Sequence, residues 1–300
     1  MKAVTLRLGD GGLDVLLKRV REGQELGFEQ FDLAIQSPQA ALGRIVAALK
    51  QHNVKLCAVR LSEARQSAVV FRKPGYAKLA APDAALSERS TQMVIETAEQ
   101  LGPARPSFLI LEGGFLDLPG LAERQQQVDE VLNSAEAGKA CVAPQAAMKF
   151  STAKADAQLE IFCRNLHTIC RKLAPLKVCL IPPPSPFSLL TPERMQHVFE
   201  ALAKDDLGYW HDTASANMLA KLGVAKADVW ITKFSSRLKG VYLADALGAH
   251  GDQAPGLGEV DFKKIAPELA SGTVRVLVVE DSSSTKLRFG HDHLSKVGIF

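Results

Sequence analysis

Short apolar runs alternate with longer segments in which apolar residues recur at helical spacing. Several runs are nearly continuous in Val, Ile and Leu, as at residues 274–279, which is typical of parallel strands covered on both faces. Strands are predicted at residues 3–8, 30–35, 54–61, 107–111, 177–181, 207–211, 240–244 and 273–279. Each is followed by a helical segment. The pattern therefore predicts an α/β chain folded as a closed (β/α)8 barrel, which is the TIM barrel.

A doubly wound sheet is the alternative fold. It usually brings a GxGxxG turn after the first strand, and residues 9–12 do not match that pattern. We find no repeat or linker, so a single barrel over residues 1–300 is expected. The connections at residues 62–83 and 113–150 are longer than a barrel needs. Because they follow the third and fourth strands, both are expected at the mouth where barrel enzymes keep their sites.

Composition excludes several functional classes. The chain has 36 basic and 33 acidic residues, a net charge of +3, and only 6% aromatic residues. Nucleic-acid binding usually needs a marked basic stripe or stacking rings, so it is not expected. No stretch is apolar over the roughly 18 residues that a membrane helix requires. The five cysteines are scattered without a CxxC pair, which favours reduced thiols and a cytoplasmic location.

Charged residues stand at the carboxyl ends of the predicted strands. They are Asp10, Arg60, Glu112, Asp212, Asp245 and Glu280. Carboxylates that converge in a pocket need a metal, a proton or a basic partner, because like charges repel. The set therefore indicates a divalent-cation or acid/base site. The alternative is that single acids, such as Asp212 or Asp281, cap the helix that follows them.

One segment carries a family resemblance. Residues 255–262, with the sequence PGLGEVDF, resemble the PGxGxVDF segment of the xylose isomerase-like superfamily, which holds sugar isomerases, sugar epimerases and apurinic-site endonucleases. The segments that end at Asp212, Asp245 and Glu280 are similar to the strand-six, strand-seven and strand-eight segments of that family. The resemblance implies a sugar isomerase or epimerase that abstracts a proton next to a carbonyl. In that chemistry Glu280 would be the base, and Asp212 would bind metal or orient the substrate.

The chain departs from the metal-binding pattern of the family. A Glu on strand five, an Asp on strand six, a His on strand seven and a Glu on strand eight usually hold a divalent metal. Here only Asp212 and Glu280 remain, because Ile181-Pro182 and Tyr242 occupy the other two positions. The cofactor that the resemblance implies is Mn²⁺, Mg²⁺ or Zn²⁺. Two carboxylates alone predict weak or absent binding of that metal.

Other residues are candidates for contact with the substrate. Glu112 and Asp245 would supply carboxylates, and His250 could reach back from the loop after strand seven. Arg72 and Lys73 belong to a basic loop, with Arg65 and Lys78, that would suit an anionic sugar or sugar acid. The alternatives are a solvated loop histidine and a solvated run of charges.

Two other functions compete with sugar isomerisation. One is a barrel that binds a small carbohydrate without catalysis, which the lost ligands favour. The other is the endonuclease branch, which needs several metals and a basic face that the sequence does not show. The sequence leaves the sugar open. It also leaves open whether the chain forms a homo-oligomer.

Overall fold

The computed structural model of the chain describes residues 1–8, 12–36, 42–62, 75–133, 152–280 and 283–300. Eight parallel strands close a barrel in the order β1, β2, β3, β4, β5, β6, β7, β10. They are β1 (Lys2–Leu8), β2 (Gln30–Ile35), β3 (Lys55–Leu61), β4 (Phe108–Glu112), β5 (Lys177–Ile181), β6 (Gly208–Asp212), β7 (Leu238–Leu243) and β10 (Val274–Leu277). The predicted (β/α)8 barrel is confirmed.

Helices follow the strands and surround the barrel. They are α1 (Gly12–Glu25), α2 (Leu42–Gln51), α3 (Ala84–Leu101), α4 (Leu121–Asn133), α5 (Thr152–Leu173), α6 (Pro192–Ala201), α7 (Thr213–Lys221), α8 (Ala227–Lys233), α9 (Phe262–Ile265) and α10 (Ser284–Lys296). Thr191 begins α6 by accepting the N–H of Arg194, and a proline follows at the first helical position.

The main departure from the predicted elements lies after β7. There the chain forms an antiparallel hairpin of β8 (Asp245–Leu247) and β9 (His250–Gln253), which the hydrophobic pattern does not show. The last barrel strand ends at Leu277, and not at Val279 as predicted. The hairpin rises from the mouth of the barrel and adds a wall to it.

Alternation along each strand separates two apolar layers. Ile110, Ile181 and Trp210 point into the barrel and form part of one cluster. Leu33 and Val59 point outward and pack under the helices. The same period of two directs inward-facing polar residues to the mouth at the carboxyl ends of the strands.

Two further features concern the helices and the cysteines. No helix in the described part of the chain combines the length and the apolar composition needed to cross a bilayer. The four cysteines in the described residues, Cys57, Cys163, Cys170 and Cys179, are free thiols.

Candidate functional site

A cavity of about 360 Å³ opens at the carboxyl ends of the barrel strands. Among the described residues, five carboxyl groups line it: Asp32, Glu112, Asp212, Asp252 and Glu280. Two guanidinium groups, from Arg7 and Arg60, line it as well. A cavity of this size, with polar groups from many strands, suits a small polar molecule.

Arg60 is the central cation of the cavity. Its Nη2 donates to Oε1 of Glu112 at 3.1 Å, and its Nη1 lies 3.7 Å from Oδ2 of Asp212. The guanidinium carbon also lies 5.1 Å from the ring centroid of Tyr242, in a cation–π contact. Burial disfavours the charge, but Glu112 and Asp212 outweigh it and hold the pKa of Arg60 above its ordinary value. Arg60 therefore stays protonated, and its two carboxylate partners hold the guanidinium in position.

Asp212 has two roles at the end of β6. Its Oδ1 accepts the N–H of Ser215 at 3.0 Å and caps α7, while its other oxygen faces Arg60. Burial raises the pKa of Asp212, although the charge of Arg60 opposes the rise. Asp212 therefore caps α7, which the sequence left as an alternative, and it also lines the cavity.

Asp32 and Tyr242 form a buried pair on the cavity wall. The Tyr242 hydroxyl donates to Oδ1 of Asp32 at 3.0 Å, and the Thr5 hydroxyl donates to Oδ2 at 3.1 Å. Asp32 is fully buried. Burial raises the pKa of Asp32 to about 7, although the two hydrogen bonds and the charges of Arg60 and Arg7 oppose the rise.

The β8–β9 hairpin supplies a second ion pair. Nη2 of Arg7 donates to Oδ2 of Asp252 at 2.7 Å. Burial alone would raise the pKa of Asp252, but the charges of Arg7 and Arg60 hold it below its ordinary value. The backbone N–H of Glu280 donates to the carbonyl of Asp252 at 2.7 Å, which ties the hairpin to the segment after β10.

The predicted residues Asp212, Glu280, Glu112 and His250 all line this one cavity. Glu280 is exposed, and Gln253 donates to its Oε2 at 2.9 Å. His250 is exposed at the start of β9. The structure thus brings these four side chains together, while their roles stay predictions.

Asp245 does not line the cavity, so the structure does not bring it together with the other predicted site residues. It is fully buried, and its carboxylate accepts the N–H groups of Ala246, Gly256 and Val260 at 2.8–2.9 Å. Because the chain turns into the hairpin directly after β7, the carboxylate faces the 255–260 loop instead of the mouth. Asp245 therefore stabilises the backbone of the 255–260 loop.

The glycines of the PGLGEVDF segment serve that loop. Gly256 has a φ of +90°, which residues with a Cβ rarely adopt. A Cβ on Gly258 would overlap the carbonyl of Ala246 and the carboxylate of Asp245. The residues that carry the family resemblance thus shape a backbone turn beside the site.

His211 faces the helical layer, as the alternation along β6 predicts. The Tyr209 hydroxyl and Nδ1 of His211 share a hydrogen bond of 2.8 Å, and both side chains are buried. Burial lowers the pKa of His211 to about 3, so the ring is neutral. His211 is adjacent to Asp212 in sequence but takes no part in the cavity.

The two long loops are described in part. Ser62 and Phe115 line the cavity, so both loops begin at the mouth. Lys78 is buried in a short 3-10 turn, so it does not belong to the solvated run of charges that the sequence left as the alternative. Asp10, Arg65, Arg72 and Lys73 lie outside the described residues.

The described residues do not fit a resident divalent metal. Among the described residues, no three His, Cys, Asp or Glu side chains converge as a metal site requires. Ile181 is an apolar side chain buried in the barrel, and the Tyr242 hydroxyl is directed at Asp32. Asp212 has one oxygen on the cap of α7 and the other beside the Arg60 guanidinium. We therefore derive no chemical step through a metal.

Sequence reasoning missed part of the site. Asp32 and Thr5 lie within strands and not at their ends, and Asp252 lies in the unpredicted hairpin. Tyr242 was identified only as a lost ligand, and Arg60 only as a residue at a strand end. A signal existed for Asp32, because it is the one charged residue in the run Phe31–Ile35 of a buried strand.

Solved structures share this architecture. A D-tagatose 3-epimerase-like protein is 13% identical, with a TM-score of 0.64 over 99% of this chain and 97% of that one. The 3-keto-D-glucoside 4-epimerase of E. coli is 13% identical, with a TM-score of 0.61 over 99% and 98%. A family 2 AP endonuclease from Brucella melitensis is 16% identical, with a TM-score of 0.62 over 96% of each chain.

Comparison of sequences adds nothing to this. No protein-family model matches the chain, and no curated protein matches it. At identities of 13–16% the structural likeness establishes the fold. The chain has a (β/α)8 barrel fold like that of these proteins, as its hydrophobic pattern predicts.

Proposed function

We propose that this xylose isomerase-like barrel isomerises or epimerises a small sugar or sugar acid by moving a proton next to a carbonyl. In this proposal the Arg60 guanidinium is the fixed positive charge of the reaction. The observation that carries the proposal is the place of Arg60, which lies between Glu112 and Asp212 and above the ring of Tyr242.

A fixed guanidinium suits the chemistry of an enediolate. Removal of a proton next to a carbonyl leaves negative charge on the carbonyl oxygen, and a preorganised cation stabilises that charge in the transition state. Among the described residues, Glu112 is the only hydrogen-bond partner of the Arg60 side chain. Since a guanidinium carries five N–H donors, further donors are left for a substrate oxygen.

The base in this proposal is Glu280. Its carboxylate is exposed beside the cavity, and Gln253 holds one of its oxygens. Asp212 would orient the substrate beside Arg60, and Glu112 and His250 would contact hydroxyl groups from the wall. Arg72 and Lys73 of the loop after β3 would favour a sugar acid over a neutral sugar.

Proton exchange with solvent tests the proposal. The purified chain, treated with EDTA, is incubated in D2O with D-fructose, D-tagatose, L-ribulose or D-glucuronate, and deuterium at the carbon next to the carbonyl is followed by NMR. We expect exchange into at least one sugar and no effect of EDTA. Arg60→Met should slow exchange by about 100-fold or more, and Glu280→Gln should abolish it.

Two exposed residues at the opposite end of the barrel provide matched controls. Arg171→Met and Glu25→Gln remove the same groups from the ends of α5 and α1, and both should exchange at the rate of the unaltered chain. Exchange that needs an added divalent metal would contradict the proposed role of Arg60. The absence of exchange into every sugar would contradict the proposed activity.

A second candidate is a barrel that binds a carbohydrate without catalysis. The capping of α7 by Asp212 favours it, because that carboxylate then has a structural reason to be present. Calorimetry on the same sugars separates the two candidates, since this function gives binding without deuterium exchange.

A further inference from the structure

Asp32 and Tyr242 join two strands that are three positions apart around the barrel, and Arg60 lies over the Tyr242 ring. They belong to β2 and β7, which are not neighbours in the sheet, and only the inward direction of both side chains brings them together. Both residues line the cavity and both are buried. The pair therefore belongs to the floor of the proposed site.

The partners of Asp32 are unusual for a buried carboxyl group. Both of its oxygens accept from neutral hydroxyls, those of Tyr242 and Thr5. No cation in the described residues lies within hydrogen-bond distance of it. A fully buried carboxylate without a cationic partner destabilises the fold. A buried carboxyl group of this kind in a cavity is therefore a candidate for proton transfer.

We propose that Tyr242 gives a proton to the oxygen of the substrate carbonyl and that Asp32 replaces that proton. The proposal rests on the function argued above and names the acid of that reaction. Tyr242 is the catalytic residue, because its hydroxyl would touch the substrate. Asp32 and Thr5 position that hydroxyl, and Asp32 is its source of protons.

Three protons move in this step. The Glu280 carboxylate takes the carbon-bound proton, the electron pair of the C–H bond forms the new C=C bond, and the π pair of the C=O bond moves to the carbonyl oxygen. The O–H bond of Tyr242 breaks as the substrate oxygen takes its proton, and the Asp32 carboxyl passes its own proton to the Tyr242 oxygen. The products are an enediol, protonated Glu280 and ionised Asp32. The reverse sequence returns a proton to carbon.

Proton supply should depend on pH. Ionised Asp32 accepts the Tyr242 hydrogen, whereas protonated Asp32 can donate to the Tyr242 oxygen and leave that hydrogen free for the ligand. Arg60 and Cys57 from β3, Arg7 from β1 and Tyr242 from β7 are the titratable groups that act on Asp32 in the described residues. Burial raises the pKa of Asp32 to about 7, so the ligand should bind more tightly at pH 6 than at pH 8.

Enediolate mimics test this without turnover. The probes are the hydroxamates of four-, five- and six-carbon aldonic acids, each paired with the alditol of the same length, and affinity is measured by calorimetry at pH 6. We expect at least one hydroxamate to bind the unaltered chain more tightly than its alditol, because its planar oxygens resemble an enediolate. Tyr242→Phe should lower the affinity for that hydroxamate by about 10- to 100-fold and change alditol binding by less than about 3-fold.

Two further variants separate chemistry from folding. Tyr209→Phe is the matched control, since it removes a different buried hydroxyl that faces the helices, and it should leave hydroxamate affinity unchanged. Asp32→Asn keeps a side chain of the same shape without a titratable proton. It should abolish the loss of affinity between pH 6 and pH 8, which also provides a test if Tyr242→Phe does not fold.

The outcomes are distinguishable. If the unaltered chain binds no hydroxamate more tightly than its alditol, the proposed function fails and the inference fails with it. If it prefers a hydroxamate and Tyr242→Phe retains that preference, the inference alone is overturned. Retention of the pH dependence in Asp32→Asn would overturn the role of Asp32.

Discussion

One oxygen of Asp212 accepts the N–H of Ser215 at 3.0 Å, so the carboxylate that faces Arg60 also begins α7. The two functions separate by substitution. Asp212→Asn keeps an oxygen for the cap and should leave the free energy of unfolding within about 0.5 kcal/mol of the unaltered value, whereas Asp212→Ala should lower it by about 1–2 kcal/mol. Urea denaturation measures both, and equal losses would show that the charge and not the cap stabilises the helix.

Stability should fall as Asp32 ionises. Burial raises the pKa of Asp32 from 3.8 to about 7, so the folded chain holds this proton more tightly than the unfolded chain does. The stabilisation is complete below about pH 4 and is lost as pH rises through 7. Relative to the unaltered chain, Asp32→Asn should therefore gain about 2–4 kcal/mol in free energy of unfolding between pH 4 and pH 8.

Asp156→Asn is the control for that measurement, because Asp156 is exposed on α5. It should follow the unaltered chain at every pH. An Asp32→Asn variant that does the same would contradict the raised pKa.

Asp245 should matter for folding and not for ligand binding. Asp245→Ala removes the acceptor of three backbone N–H groups. Buried donors without an acceptor cost free energy, so unfolding should become easier by about 2–4 kcal/mol. The affinity of the folded variant for a sugar that the unaltered chain binds should change by less than about 3-fold. A large loss of affinity with normal stability would return Asp245 to the site.

Divalent metals should bind weakly. Calorimetry with Mn²⁺, Mg²⁺ and Zn²⁺ should give no stoichiometric binding at micromolar concentration, because Asp212 is already engaged by Arg60 and the cap of α7. Arg60→Ala removes the competing cation and should strengthen Mn²⁺ binding. Tight binding to the unaltered chain that Asp212→Asn abolishes would contradict the interpretation of the donor set.

The sequence predicts the scaffold well because the scaffold depends on periodicity. The bounds of β2 and β5 agree with the hydrophobic pattern to the residue. The hairpin is different, since strands of three and four residues carry too short a pattern to be distinguished from a loop.

Prediction of the site was limited by geometry that a single strand does not contain. Strand ends indicated Asp212 and Glu280, and both line the cavity. The Asp32–Tyr242 hydrogen bond joins residues 210 positions apart across the barrel, so neither strand alone predicts it. The strand pattern also does not show that Asp245 lies outside the cavity, because the direction of its side chain depends on a turn after β7.

The PGLGEVDF loop has a consequence for how relatives of this chain are recognised. Its glycines and Asp245 specify a backbone shape beside the mouth, and that shape does not depend on which groups do chemistry inside. A search pattern built on residues 255–262 therefore selects for a way of folding. It would not separate barrels with a metal site from barrels without one, and the residues at the positions of Ile181 and Tyr242 would have to be compared as well.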